Sequence, residues 1–199
     1  MPIDSLNGGA EAPADPFERG HLVIDQDVLV RSVTEATSEV FSMMLDMEAR
    51  FEGVVMAAKS SNSGLISLVG ITGDWGGSGV FCCSPALASL ISSRMLGTQP
   101  DPSKVVIDEE VLDVVAEVTN MMVGNIKNGL ETITGPMAIS VPTVIHGKNF
   151  HFRNSGGLQG VALAFSTEGE KFEVRISLVP ASEQAAARSR IPIFGLAHL

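Results

Sequence analysis

Apolar residues recur at helical spacing in two long windows of this chain. Over residues 27–51, Val30, Val33, Ala36, Val40, Phe41, Met44 and Leu45 fall on one face at about 100° per residue, which predicts a first long helix closed by Gly53. A second is predicted from Asp108 to about Leu130, where Val111, Leu112, Val115, Val118, Met122 and Ile126 share a face. Asp108, Glu109 and Glu110 put negative charge at the positive end of its dipole. A shorter helix opens at Ser84-Pro85, an N-cap followed by proline at the first helical position, and runs to Met95 or Leu96 before Gly97. Elsewhere the pattern is that of strands: residues 54–58, 65–71 and 79–83, then 137–145, 158–166 and 171–179. Turns are predicted at the glycine-rich residues 73–77, at Gly147-Lys148-Asn149 and at Glu168-Gly169.

These elements predict an α+β fold, a largely antiparallel sheet of about six strands with two long helices packed on it and at least one shorter helix. Residues 1–20, with Gly8, Gly9, Pro13 and Pro16 among Ala, Asp and Glu, read as a flexible tail. Residues 21–180 read as a single domain, and residues 181–199 as a C-terminal tail.

Composition narrows the function. A chain of 199 residues that is 45% hydrophobic can bury a proper core. Its net charge of -10 and pI near 4.8 exclude a nucleic-acid partner, which needs a surplus of Lys and Arg. No apolar run reaches the roughly 20 residues of a membrane helix, and the N-terminus lacks the basic-then-apolar order of a signal peptide. A cytoplasmic protein is expected. Adjacent Cys82 and Cys83 read as a buried strand end where a mutual disulfide would be strained, which fits a reducing compartment. His21, His146, His151 and His198 lack metal-ligand spacing, so no metal site is expected. Residues 73–79 lack the Lys-Ser/Thr ending of a phosphate loop. Met43, Met44, Met121 and Met122 are expected in the core.

The chemistry-bearing feature lies on the polar side of the second long helix. Asp113, Glu117, Asn120 and Gly124 fall on one narrow stripe opposite the apolar face. Asn is a poor residue for a helix interior because its side chain competes for backbone hydrogen bonds, so Asn120 asks for a reason. The first helix carries an echo. Glu39, Val40, Ser42, Met43 and Met44 lie over Glu117, Val118, Asn120, Met121 and Met122 at a constant separation of 78 residues. This predicts two related halves about a pseudo-twofold relation, with Ser42 where the second half has its carboxamide.

The order Asp113-x-x-x-Glu117-x-x-Asn120, continued by Met121-Met122-Val-Gly124-Asn-Ile-Lys127, resembles the CheC/CheX/FliY class of chemotaxis phosphatases, most closely its CheX branch. Pro142, with 21 residues between it and Asn120, takes the place of the family's downstream proline. The resemblance spans roughly residues 25–180 and implies the CheC-like fold, a homodimer, and hydrolysis of the aspartyl phosphate of a CheY-like response regulator. It implies that Asn120 orients the attacking water and that Glu117 pairs with the regulator's lysine. Asp113, Gly124 and Lys127 are then partner-binding positions, and Glu39 with Ser42 a degenerate first site. This chain binds no cofactor in that reading; Mg²⁺ comes with the phosphorylated receiver. Two alternatives stay open: a non-catalytic module that binds a receiver domain or a flagellar-switch component through the same face, and a homodimeric structural protein whose motif has fallen out of use.

Overall fold

The computed structural model of the chain describes residues 23–55, 61–99, 105–151 and 159–183. The expected tail at residues 1–20 lies outside the described residues, as does the expected C-terminal tail beyond Glu183. Helix α1 spans Gln26–Leu45 and is followed by strands β1 (Arg50–Val54), β2 (Ser61–Gly73) and β3 (Trp75–Cys83). Helix α2 (Pro85–Met95) leads to the longest helix, α3 (Glu109–Thr134). Strands β4 (Met137–Ile139), β5 (Thr143–His151), β6 (Gln159–Thr167) and β7 (Glu170–Pro180) complete the described elements.

The seven strands form one sheet in the order β1-β6-β7-β3-β2-β4, with β5 also pairing β2, and every pairing is antiparallel. The order expresses the repeat. Each half is a long helix, a leading segment and a hairpin, the leading segment being β1 in the first half and β4 with β5 in the second; β1 pairs with β6 of the second half, while β4 and β5 pair with β2 of the first. The halves exchange their leading strands about the central β3–β7 pair, so neither can complete its sheet alone.

Both long helices cover one face of the sheet. Val33, Val40, Phe41, Val115, Val118, Met122 and Ile126 are buried against Leu65, Val69, Phe81, Leu163, Phe165, Val174 and Ile176. Phe172 stacks on Phe41 at a centroid distance of 4.7 Å and on Phe165 at 5.2 Å, which fixes α1 over β6 and β7. Because successive strand residues point to opposite faces, Cys83 joins this core while Cys82 joins a small cluster with Ile66 and Val80 on the other face. Neither cysteine is in a disulfide.

Several boundaries differ from the sequence pattern. The first helix ends at Leu45, not near Phe51: Asp46 turns left-handed (φ 51°) and the chain reverses into β1 at Arg50. Met43 and Met44 therefore lie in a last turn and are exposed, whereas Met122, mid-helix in α3, is buried. The glycines after Asp74 belong to β3. The turn contracts to Gly73-Asp74, and Gly77 and Gly79 are strand residues that neighbours approach closely. The expected turn at residues 147–149 lies inside β5, where the long β2 supplies a partner through a bulge near Gly64. The single strand expected over residues 137–145 is broken in two at Ser140-Val141-Pro142. The Glu168-Gly169 turn, with both residues at positive φ, joins β6 to β7 as expected.

Candidate active site

Helix α3 is the platform. Its N-terminus is capped by Asp108, whose carboxylate accepts from the Val111 N–H at 3.0 Å, and its end is set by Gly135 at φ 75°. Its apolar side is seated on β3 at Gly79, where a Cβ would lie 2.4 Å from Cγ2 of the buried Val123. This close seat fixes which side of α3 faces outward. Asp113 and Glu117 are exposed there, and Asn120 and Gly124 are half-buried on the same stripe. Among the described residues, the side chains of Asp113, Glu117 and Asn120 have no hydrogen-bond or ion-pair partner.

One flank of the stripe is built by the chain returning beside α3. Lys127 donates to Glu131 Oε1 at 2.5 Å and to the Met137 carbonyl at 3.1 Å, so it ties α3 to the start of β4. The bond from Lys127 holds the Glu131 carboxyl below its ordinary range. Two residues on, Ile139 comes beside Gly124, whose added Cβ would meet Ile139 Cδ1 at 3.8 Å. Then the ladder to β2 slips: Ile71 pairs with Ile139 and Leu68 with Thr143, so Ser140, Val141 and Pro142 stand opposite only Val69 and Gly70. Ser140 stabilises the bulge. Its N–H donates to the Gly70 carbonyl and its hydroxyl accepts from the Gly70 N–H, each at 2.9 Å. Proline fits a bulge because no ladder donor is required of it.

The first helix offers the corresponding positions in a different condition. Glu39 Oε2 accepts from the Asn125 amide at 3.3 Å, and the Ser42 hydroxyl donates to the Glu39 carbonyl at 3.2 Å. Both polar groups of the expected degenerate site are spent within the fold. Glu39 and Asn125 line an open groove between α1 and α3, together with Arg31, Ser32 and Gly129.

Sequence spacing identified the stripe and the Ser140-Val141-Pro142 segment, but not the contacts made by Asn125, Glu131 and Ser140. Lys127 and Glu131 at i,i+4 were a readable pair, while the partnership of Ser140 with Gly70 spans 70 residues of chain and leaves no local signal. The Cys82-Cys83 pair does not join the site, and burial pushes the Cys83 thiol well above its ordinary range.

One sheet, two exchanged halves and a polar stripe on one long helix define a protein of the CheC-like fold. The chain belongs to the CheX family: residues 65–166 match the family described as chemotaxis phosphatase CheX. It is 27% identical over 114 residues to a CheY-P phosphatase CheX of Thermotoga maritima, covering 57% of this chain and 71% of that one. Among solved structures, a CheC-like superfamily protein of Shewanella sp. PV-4 superposes with a TM-score of 0.66 at 26% identity, over 78% of this chain and 99% of that one. The Borrelia burgdorferi protein of a CheX–CheY–BeF₃–Mg²⁺ complex superposes with a TM-score of 0.62 at 26% identity, over 75% of this chain and 97% of its own. Among the described residues no helix is long and apolar enough to cross a membrane.

Proposed function

We propose that this chain hydrolyses the aspartyl phosphate of a CheY-like response regulator, with α3 as the docking and catalytic element. The observation that carries the reading is the contrast between two equivalent stripes. Glu117 and Asn120 are uncommitted within the fold, whereas Glu39 and Ser42 are hydrogen-bonded inside it. A polar pair held ready on a rigid helix, with no internal partner, is suited to engage a second protein. The Thermotoga relative, named a CheY-P phosphatase, and the Borrelia relative, solved with CheY, support the choice of partner.

A phosphorylated receiver already carries the charge-neutralising groups that the reaction needs, Mg²⁺ and a lysine at the acyl phosphate. What such a site lacks is a positioned water. The Asn120 amide, with a donor and an acceptor on one planar group, holds that water in line with the phosphorus. Glu117, one turn earlier, pairs with the receiver lysine and sets the register of docking. Asp113 extends the polar contact, and Gly124 keeps the helix surface low where the partner's backbone approaches. Lys127, engaged with Glu131 and Met137, serves the fold of this face. Homodimerisation is part of the same reading, and sedimentation as a monomer removes it.

Phosphate release from a receiver phosphorylated by a small acyl phosphate tests the proposal. The wild-type chain should accelerate release, and Asn120→Ala should return it to the receiver's own rate. The same substitution should raise folding stability by roughly 0.5 kcal/mol, since alanine is the better helix former and no internal bond is lost. Equal release with and without the chain refutes the catalytic reading, and binding that persists without turnover assigns a docking module instead.

A further inference from the structure

The pair Lys127–Glu131 is arranged against helix preference. On an isolated helix the acid is better placed four residues before the base, and a carboxylate near the C-terminus meets the negative end of the dipole. Here the base comes first, and Glu131 lies four residues from the helix end at Gly135. Helix stability alone therefore does not account for the pair. Its second bond does: the Lys127 ammonium also donates to the Met137 carbonyl on β4.

From that anchor the chain runs back along α3. Met137 stands beside Lys127 and Ile139 beside Gly124. Between Ile139 and Thr143 the chain advances by the three β2 intervals from Ile71 to Leu68, about 10 Å at 3.3 Å each, which is roughly six residues of helix at 1.5 Å. Pro142 then comes level with the turn that carries Glu117 and Asn120, consistent with the contact of α3 with β5 as well as β4. Strand β4 is three residues long and ends in a bulge, so it has few ladder bonds of its own to fix this placement.

We infer that Lys127 is a positioning residue: with Glu131 it clamps β4 to α3 and thereby holds the Ser140–Pro142 bulge against the Glu117–Asn120 stripe. The inference rests on the proposed phosphatase reading for its effect on rate, and on the clamp geometry for its effect on the free protein. Glu131 is the anchor that keeps the ammonium aimed at Met137. Arginine can make the same two contacts, and methionine can fill the stem's place but neither bond.

Two measurements on the full chain test this. In hydrogen exchange without any partner, Lys127→Met and Glu131→Gln should each speed exchange of the β4 amides at least tenfold and leave the middle of α3 unchanged. In receiver dephosphorylation, both variants should lower kcat ten- to a hundredfold with KM within about threefold of wild type, and Lys127→Arg should recover most of the loss. A lysine that instead touched the receiver would give the opposite split. Lys127→Met would raise KM at constant kcat, and Glu131→Gln, which frees the ammonium, would leave KM equal or lower. That split, or unchanged β4 exchange in both variants, overturns the inference. If Lys127→Met fails to fold, Glu131→Gln carries both measurements. A wild-type chain without turnover defeats the phosphatase reading, while the exchange result still decides the clamp.

Discussion

Replacing Gly124 by alanine should stabilise the protein and weaken its activity, two effects of opposite sign from one methyl group. A glycine inside a helix costs about 1 kcal/mol relative to alanine, through the backbone freedom it gives up on folding. In α3 the new Cβ would lie 3.8 Å from Ile139 Cδ1, an ordinary contact, with no other atom outside its own helix inside 4 Å. Nothing in the fold offsets the gain, so stability should rise by about 0.5–1 kcal/mol, raising Tm by roughly 1–4 °C for a chain of this size. On the partner side the methyl stands on the stripe between Asn120 and Lys127, where a docked receiver packs in the proposed complex. Forcing a methyl group into a packed contact costs about 1–3 kcal/mol. That corresponds to a loss in kcat/KM of about five- to 150-fold. Thermal unfolding followed by circular dichroism and steady-state dephosphorylation on the same preparation give both numbers. A lower Tm would mean that α3 does not lie beside β4 as described. An unchanged kcat/KM would mean that the receiver does not approach at Gly124.

Gly79→Ala should act in the opposite direction on stability, because its Cβ would fall 2.4 Å and 2.9 Å from the two methyls of Val123, a side chain stiff at χ1. A loss of about 1–3 kcal/mol is expected in denaturant unfolding, with partial recovery in the Gly79→Ala/Val123→Ala pair; an unchanged midpoint would refute the close seat of α3. Ser42→Asn placed in the Asn120→Ala background should leave dephosphorylation at the receiver's own rate. Glu39 is already engaged by Asn125, and α1 ends three residues beyond Ser42, before any counterpart of Gly124 or the Lys127 clamp. Recovered turnover in that double variant would show that the carboxamide alone makes a site.

The long helices, the Ser84 and Asp108 caps and the alternating strands were legible because each is written in local spacing. Val111, Val115, Val118, Met122 and Ile126 repeat at helical intervals, and the structure buries all five. The errors fell where a distant partner decides. Gly77 looks like a turn residue in sequence, but across the sheet it is a place where β7 comes too close for a side chain. Gly147 looks like a turn residue too, yet the length of β2 draws it into a ladder, with Lys148 and Asn149 in the bulge beside it.

The polar stripe shows the same division. The order Asp113, Glu117, Asn120 and Gly124, and the mismatch at Ser42, are properties of the chain, since residues three and four apart must share a helical face whatever surrounds them. Whether each group is free to act is a property of the packing. Only the tertiary structure binds Glu39 to Asn125 and turns Ser42 onto its own helix, and only it brings the Met137 carbonyl of β4 to the Lys127 ammonium. A local period fixes the direction of a side chain, but its availability depends on what the rest of the fold brings within hydrogen-bonding distance.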